Sequence, residues 1–381
     1  MERIHIAFFG PANSGKSTLV NALAGQEVSL VSPVPGTTTD PVRKAIEIPG
    51  LGPCVLIDTA GIGDTSALGP ERKRLTESII DETDAAVVLA PEEACMAPFL
   101  ETLRMAEVPV IPFHAGDRPE DLPSRIREAL PREEERFLTG DLVHPGDTVL
   151  LVMPQDGEAP KGRLILPQVQ VIRELLDRGC LPCCCTPETL RKALQRRPDL
   201  VVTDSQVFRE VNEALAPDIP LTSFSILLAS AKGDIRVFVD GARAIGTLKP
   251  GDRVLIAEAC THVPDTEDIG RVKIPALLRR HVAKVFPISA DENFSRLKNA
   301  VEKFCPTPHP EKLLQIDIAA GNDFPEDLSP YALIIHCGAC VATGRIVRSR
   351  MRKALLAGVP ITNYGIALAF LQGILDRISL P

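Results

Sequence analysis

Gly10-Pro11-Ala12-Asn13-Ser14-Gly15-Lys16-Ser17-Thr18 is the most informative segment of this chain for its fold. It follows the apolar residues 4–9, which predict a buried strand, and it precedes residues 19–23, whose periodicity predicts a helix. Strand, glycine-rich loop and helix in this order are typical of a phosphate-binding loop, where backbone N–H groups and the helix dipole hold phosphate. We therefore predict a nucleotide-binding α/β domain at the start of the chain.

Individual residues of this loop have predicted roles. The Lys16 ammonium is expected to reach the β- and γ-phosphates, and the Ser17 hydroxyl is expected to bind Mg²⁺. The other predicted nucleotide contacts in the loop are Gly10, Asn13, Ser14, Gly15 and Thr18.

Two further elements strengthen the prediction. Gly36-Thr37-Thr38-Thr39-Asp40 forms a polar segment in which Thr38 is expected to join the Mg²⁺ shell and sense the γ-phosphate. Asp58-Thr59-Ala60-Gly61 ends the apolar strand 54–57. This order predicts the Asp58 carboxylate near the metal and the flexible Gly61 near the γ-phosphate.

The order of these motifs resembles the translation-factor-related GTPases. Within them it is similar to the branch with Asn in the phosphate loop, here Asn13. That resemblance implies GTP and Mg²⁺ as ligands, and an activating K⁺ held with the help of Asn13.

The base-recognition element departs from the GTPase pattern. His114-Ala115-Gly116-Asp117 stands where such GTPases carry Asn-Lys-x-Asp. The Asp117 carboxylate is retained and is expected to pair with the guanine N1 and N2 hydrogens. We expect weakened nucleotide affinity, relaxed base choice, or both.

A strand ending in Ser-Ala, which usually closes such a domain, is missing at its expected place. Residues 283–290, ending in Ser289-Ala290, predict that strand far downstream, and residues 294–304 predict the helix after it. Segment 281–306 is either an unrelated strand and helix or a displaced piece that completes the GTPase sheet.

Composition narrows the class of protein. The chain has 381 residues, 45% hydrophobic and 24% charged, which indicates two or three globular domains. Its net charge of −8 speaks against a nucleic-acid partner. No segment resembles a signal peptide, and no apolar run reaches the roughly 20 residues of a membrane span. We expect a cytoplasmic protein whose ten cysteines are not a disulfide framework.

The middle of the chain alternates strand and helix patterns. Strands are predicted at 148–153, around 200–206 and at 222–228, with a helix at 169–178. Such alternation indicates a small parallel sheet. The run Cys183-Cys184-Cys185 has thiols but no histidine, and a metal site there is not favoured.

A split set of metal-ligand residues lies near the end. Strand 253–257 leads into Cys260-Thr261-His262, and strand 332–335 leads into His336-Cys337-Gly338-Ala339-Cys340. Ligands at the carboxyl ends of parallel strands are expected to meet. Three thiols and two imidazoles suit an iron–sulfur cluster or zinc, and buried free thiols are a third alternative. Three thiolates leave one iron of a [4Fe–4S] cluster with a replaceable ligand, either His262 or His336.

The whole chain resembles HydF, the family of GTPase maturation factors of [FeFe]-hydrogenase. The Cys-x-His and His-Cys-x-x-Cys pair is specific to that family. The other shared motifs are Gly36-Thr-Thr-Thr-Asp-Pro-Val, Ala159-Pro-Lys-Gly-Arg-Leu-Ile-Leu-Pro-Gln, Val202-Thr-Asp-Ser-Gln-Val, Asp268-Ile-Gly-Arg-Val-Lys-Ile-Pro and Ile361-Thr-Asn-Tyr-Gly.

The resemblance implies an α/β architecture: a P-loop GTPase domain (1–135), then two smaller parallel-sheet domains for dimerisation (138–226) and for the cluster (229–381). It assigns Cys260, Cys337 and Cys340 as cluster thiolates, with His262 and His336 at the open position. It implies a [4Fe–4S] cluster and a transient diiron subcluster. The implied partners are radical-SAM maturases, the apo-hydrogenase and a second copy of the chain, with K⁺-stimulated GTP hydrolysis regulating partner exchange.

The spacing of the metal motifs departs from the family, because the interval from His262 to His336 exceeds the family's by about the length of segment 281–306. One alternative is a nucleotide-gated zinc protein with no role in hydrogenase maturation. Another is a tRNA-modifying enzyme related through the GTPase alone, against which the acidic charge speaks.

Overall fold

The computed structural model describes residues 3–25, 41–62, 76, 78–131, 137–155, 162–259, 268–286, 313–321, 323–340 and 342–381. The chain divides into two compact units, Met1–Glu134 and Glu135–Pro381.

The first unit contains a five-stranded sheet in the order β2-β3-β1-β4-β5. Strand β2 runs antiparallel to β3, and the other neighbours are parallel. The strands are β1 (Ile4–Phe9), β2 (Val42–Ile48), β3 (Gly52–Asp58), β4 (Ala85–Leu89) and β5 (Val110–Phe113). The α-helices described with them are α1 (Lys16–Ala24), α2 (Ala97–Met105) and α3 (Leu122–Ala129).

Both faces of this sheet are covered. Phe8 and Leu56 belong to an apolar core on one face, and Phe9 and Ile57 belong to a second core on the other. Strands buried on both faces read as unbroken apolar runs. This burial explains why residues 4–9 and 54–57 are recognisable as strands from sequence.

The second unit contains two four-stranded sheets, and all strands in both are parallel. The first sheet consists of β6 (Thr148–Val152), β7 (Leu181–Cys185), β8 (Leu200–Thr203) and β9 (Leu221–Ser223). The second consists of β10 (Arg253–Glu258), β11 (Gln315–Ala320), β12 (Leu333–His336) and β13 (Ile361–Asn363). The α-helices are α4 (Leu166–Asp177), α5 (Leu190–Ala193), α6 (Phe208–Ala214), α7 (Phe224–Lys232), α8 (Ile235–Arg243), α9 (Ile274–Val285), α10 (Gly344–Leu356) and α11 (Tyr364–Leu371).

The two sheets of the second unit have the same strand topology. Their orders are β7-β6-β8-β9 and β11-β10-β12-β13, so each first strand pairs with the second and third in the same way. The sequence repeats with them. A Pro-Gly-Asp turn precedes both first strands, at 145–147 and 250–252, and Pro220-Leu-Thr-Ser-Phe matches Pro360-Ile-Thr-Asn-Tyr at both last strands. The second unit is thus an internal duplication, which we did not expect from sequence.

The predicted fold class is confirmed, with a P-loop α/β domain followed by parallel-sheet α/β structure. No helix among the described residues is both long and apolar enough to cross a membrane. The predicted boundaries of the dimerisation and cluster domains stay predictions.

Two sequence predictions need correction, and one strand was not predicted. The strand at 222–228 stops at Ser223, because the Ser223 hydroxyl accepts the Ile226 N–H and starts helix α7. Residues 181–185 form strand β7, which was not predicted because three of its residues are consecutive cysteines. Residues 283–285 lie in the last turn of α9 and are not a strand. Ser289, Ala290 and the rest of the proposed GTPase piece fall outside the described residues.

Candidate functional site

The phosphate loop joins β1 to α1 through two residues with left-handed backbone. Asn13 has φ of 60° and Gly15 has φ of 91°, a conformation that glycine adopts at no steric cost and Asn tolerates. Gly15 caps α1, and its carbonyl accepts the Leu19 N–H at 2.9 Å. The glycine at this position is therefore required by the turn itself.

Lys16 is buried beneath the loop. Its Nζ donates to the carbonyl oxygens of Gly10 and Pro11 at 3.1 and 2.7 Å. Burial lowers the pKa of Lys16, and the nearby Asp58 carboxylate opposes that shift. The loop thus folds around a positive charge, as a loop that binds phosphate must.

Ser17 and Asp58 meet at the mouth of the loop. Ser17 Oγ donates to Asp58 Oδ2 at 2.6 Å. Asp58 is fully buried, and within the described part of the chain its Oδ1 has no hydrogen-bond partner. A hydroxyl and a carboxylate with an unsatisfied buried oxygen are oxygen ligands of the type that Mg²⁺ prefers, so these residues fit the predicted metal.

Gly61 packs directly on the loop. A Cβ atom at Gly61 would lie 2.7 Å from the Ala12 Cα, a distance that real Cβ atoms do not reach. The following Ile62 N–H donates to the Gly10 carbonyl at 3.0 Å. The end of β3 is therefore held against the phosphate loop, and only glycine fits there.

The remaining predicted nucleotide residues divide into two groups. Asn13 is exposed on the loop, Thr18 is exposed in the first turns of α1, and the buried Ser14 Oγ has no hydrogen-bond partner in the described structure. Thr38 and its neighbours 36–40 lie outside the described residues, so their predicted roles stay predictions.

The Asp117 side chain stabilises the turn formed by residues 114–117. Its Oδ2 accepts the His114 N–H and an Arg125 guanidinium N–H, both at 2.9 Å. These two hydrogen bonds, the His114 one foremost, lower the pKa of Asp117. The same turn, with the Asp carboxylate on the N–H three residues earlier, precedes β6 at 144–147 and β10 at 249–252. The His114–Asp117 segment is therefore a turn type that this chain repeats before β6 and β10.

The second predicted site lies at the ends of β10 and β12. These strands are adjacent and parallel, with Ala257 opposite His336. Cys337 Sγ accepts hydrogen bonds from the Ala259 N–H at 3.1 Å and from the Ala339 N–H at 3.4 Å. The Cys337 sulfur therefore has two backbone N–H donors, one from the residue before Cys260 and one from its own turn.

A lysine from the first repeat fixes the turn that carries the cysteines. Lys232, the last residue of α7, donates to the carbonyl oxygens of Ala339 and Ala342 at 2.7 and 2.8 Å. Ala339 has a left-handed φ of 50°, and it is buried. The turn between Cys337 and Cys340 is thus held by a buried charge from outside its own sheet.

His336 is 1% exposed and both its ring nitrogens are engaged. Arg350 can only donate, so Nε2 accepts from it at 3.2 Å, and Nδ1 carries the proton and donates to the Cys337 carbonyl at 2.8 Å. Burial, followed by the Arg350 charge, lowers the pKa of His336 to about 3. For His336 to bind a metal, its ring must leave Arg350.

The structure therefore brings together His336, Cys337 and the end of β10. Cys340, which belongs to the same sequence motif as Cys337, is exposed to solvent. Cys260 and His262 lie outside the described residues. Among the residues that are described, no group of three or more His, Cys, Asp or Glu side chains forms a metal site.

Sequence reasoning missed two buried cations of the second unit, Lys232 and Arg350. Neither belongs to a motif, because each acts through backbone or ring atoms of residues distant along the chain. The signal available in the sequence was a lysine at the end of the mostly apolar segment 224–232.

The fold and the loop define a P-loop GTPase joined to a duplicated α/β unit. Comparison with family profiles agrees: residues 5–111 match "50S ribosome-binding GTPase". Residues 138–233 match "Hydrogen maturase F dimerization domain", and residues 236–304 and 307–381 match "Hydrogen maturase F tetramerization domain". The chain belongs to the HydF family, the hydrogenase maturation GTPases. Its GTPase domain indicates GTP and Mg²⁺ as ligands, and the other two domains indicate an oligomer.

Curated relatives share only part of the chain. A tRNA modification GTPase MnmE from Nitrosospira multiformis is 44% identical over 26% of this chain and 22% of its own length. MnmE from a strain of Thermus thermophilus is 37% identical over 39% of this chain and 36% of its own length. The chain thus spans about a fifth to a third of these relatives, and the similarity shows a GTPase domain and nothing more.

Among solved structures, a variant of Era from Aquifex aeolicus is 18% identical with a TM-score of 0.27, covering 56% of this chain and 98% of its own. The G domain of the FeoB iron transporter of T. maritima is 20% identical with a TM-score of 0.22, covering 33% of this chain and 98% of its own.

Proposed function

We propose that this protein is a scaffold that binds a [4Fe–4S] cluster through Cys260, Cys337 and Cys340, receives a diiron precursor and delivers it to apo-[FeFe]-hydrogenase in the cytoplasm. The observation that carries the proposal is the hydrogen bond from the Ala259 N–H to Cys337 Sγ at 3.1 Å. It brings the residue that precedes Cys260 in the sequence into contact with Cys337.

The chain connectivity supports the third thiolate. Cys260 directly follows Ala259, and consecutive Cα atoms are about 3.8 Å apart. The Cys260 backbone is therefore tied to a residue already in contact with Cys337 Sγ. The thiols suit iron, and a cluster bound by three of them supplies one iron with a replaceable ligand.

The two histidines have different roles in this proposal. His262 is the first candidate for the replaceable position. His336 becomes available only after its ring leaves Arg350, whose guanidinium also donates to the Glu258 carbonyl at 3.1 Å. His336 is then a second ligand that appears when the site rearranges.

The nucleotide half regulates the exchange of partners. Lys16 binds the β- and γ-phosphates, Ser17 and Thr38 hold Mg²⁺ with the Asp58 carboxylate near the metal, and Gly61 lies near the γ-phosphate. Asn13 helps to hold K⁺. The partners are the radical-SAM maturases that supply the diiron precursor and the apo-hydrogenase that receives it, and the protein acts as a homodimer.

Anaerobic reconstitution with iron and sulfide tests the scaffold. We expect about four irons and four labile sulfides per chain, lost on Cys337→Ser. Cys95→Ser is the matched control, because Cys95 is an exposed free thiol in the first unit. One zinc and no iron per chain, or full iron in Cys337→Ser, would overturn the proposal.

A further inference from the structure

Three adjacent strands of the second repeat end in one row. Ala257, His336 and Asn363 are paired across β10, β12 and β13. The next residues on these strands are Glu258, Cys337 and Tyr364. Since neighbouring strands are about 4.8 Å apart, Tyr364 starts beside the cysteine assigned to the cluster.

The Tyr364 hydroxyl is an orphan. Its oxygen is inaccessible to solvent and, within the part of the chain that the structure describes, has no hydrogen-bond partner, although the ring is partly exposed. A buried hydroxyl without a partner costs about 1–3 kcal/mol. The Tyr364 hydroxyl is therefore available to donate a hydrogen bond to a group bound at this edge of the sheet.

The duplication shows that the fold itself does not need this hydroxyl. In the first repeat, Val152, Thr203 and Ser223 are paired in the same register. The residue after Ser223 is Phe224, which begins α7 just as Tyr364 begins α11. Phenylalanine therefore fills the equivalent position without the oxygen.

In the second repeat, a glycine provides the space that the Tyr364 oxygen occupies. A Cβ atom at Gly270 would lie 1.9 Å from Tyr364 Oη and 3.2 Å from Glu258 Oε1. Gly270 belongs to the π-helical turn Ile269–Lys273, which follows the segment with Cys260 and His262. The hydroxyl thus lies between the end of β10 and the chain that leads from the third cysteine.

We infer that the Tyr364 hydroxyl donates a hydrogen bond to a sulfur atom of the cluster bound through Cys337, and that Tyr364 is a positioning residue that tunes this cluster. The inference rests on the proposed function and adds a residue to it. Gly270 supplies the space, and the cluster sulfur supplies the missing acceptor.

The electrostatics keep Tyr364 a donor. Burial first, and then the negative charges of Cys337, Glu258 and Asp268, raise the pKa of Tyr364 well above its usual value. The phenol stays protonated at neutral pH. A donor hydrogen bond stabilises the more negative, reduced cluster, so it raises the reduction potential.

Tyr364→Phe in the full chain is the test, with Tyr331→Phe as its matched control. These are the two tyrosines of the sequence, and the Tyr331 hydroxyl already donates to Asp317 at 3.0 Å. After reconstitution, Tyr364→Phe is expected to keep full iron and shift the cluster potential downward. Pulsed EPR of the reduced cluster should lose one exchangeable proton. Tyr331→Phe should change neither.

Stability separates this role from a structural one. Without cluster, Tyr364→Phe loses no hydrogen bond and should unfold at the same or higher denaturant concentration, whereas Tyr331→Phe should unfold earlier. An unchanged potential and proton signal in a fully iron-loaded Tyr364→Phe protein overturns the inference and leaves the proposed function standing. Absence of iron in the wild-type chain overturns both.

Discussion

Arg350 Nη1 lies 3.2 Å from His336 Nε2 and is its hydrogen-bond donor inside the core of the second repeat. A guanidinium cannot accept a proton or a hydrogen bond, so this contact fixes a neutral imidazole with its proton on Nδ1. This contact keeps the ligand candidate His336 from binding a metal. His336 can bind one only when its hydrogen bond with Arg350 is broken and Arg350 is held by other partners. The Gly321 and Glu258 carbonyls and the Phe324 ring, 5.0 Å away, already provide them.

The metal-free protein is expected to lose stability in acid through His336. Its pKa is about 3 when folded and about 6.5 when unfolded, so the unfolded chain binds more protons between these values. Stability from this group is complete above pH 6.5 and falls as pH drops toward 3, by up to about 1.4 kcal/mol per pH unit. Denaturant titrations from pH 7 to 4 should show a steeper slope in wild type than in His336→Gln. Equal slopes would contradict the buried neutral state.

Lys232→Met is expected to loosen the cysteine turn. The change leaves the Ala339 and Ala342 carbonyls without this donor, at a cost of about 1–3 kcal/mol each if they stay buried. Denaturation should begin earlier, and reconstituted iron should be released faster to a chelator. Lys192→Met, at an exposed position of α5, is the control. Unchanged iron release in Lys232→Met would show that the turn does not depend on this lysine.

Gly61→Ala is expected to reduce GTP affinity more than about tenfold, or about 1.4 kcal/mol, because the new Cβ would meet the Ala12 backbone at 2.7 Å. Binding is measured by titration with GTP and Mg²⁺. Gly52→Ala is the control: its left-handed φ of 85° also disfavours alanine, but nothing lies within 4 Å of its Cβ position. Iron loading of the second unit should be normal in both variants. Retained affinity in Gly61→Ala would mean that the loop can move away.

Asp117→Ala is expected to change the ratio of GTP to ATP affinity by less than about tenfold, which is about 1.4 kcal/mol. The reason is that Asp117 Oδ2 is already occupied by His114 and Arg125. Competition between the two nucleotides measures the ratio. A hundredfold loss of GTP preference would show that the carboxylate reads guanine after all.

The strands of the nucleotide-binding sheet were predictable from sequence because burial on both faces leaves an unbroken apolar run, as in residues 4–9. The same reasoning failed at 222–228, because an apolar run does not distinguish a strand from a buried helix. There the Ser223 cap decided the outcome. The edge strand at 181–185 was not predicted, because a run of three cysteines has no alternation of apolar and polar residues that indicates a strand.

Sequence alone was enough to identify the phosphate loop, the two cysteine motifs after predicted strands and the family. These depend on residue type at fixed local spacing, which chemistry constrains directly. The folded structure was needed to show that Arg350 occupies the His336 ring, that Lys232 holds the cysteine turn, and that Tyr364 keeps a hydroxyl its counterpart Phe224 lacks. These relationships join residues that are remote along the chain, and they arise from burial, which no local pattern records.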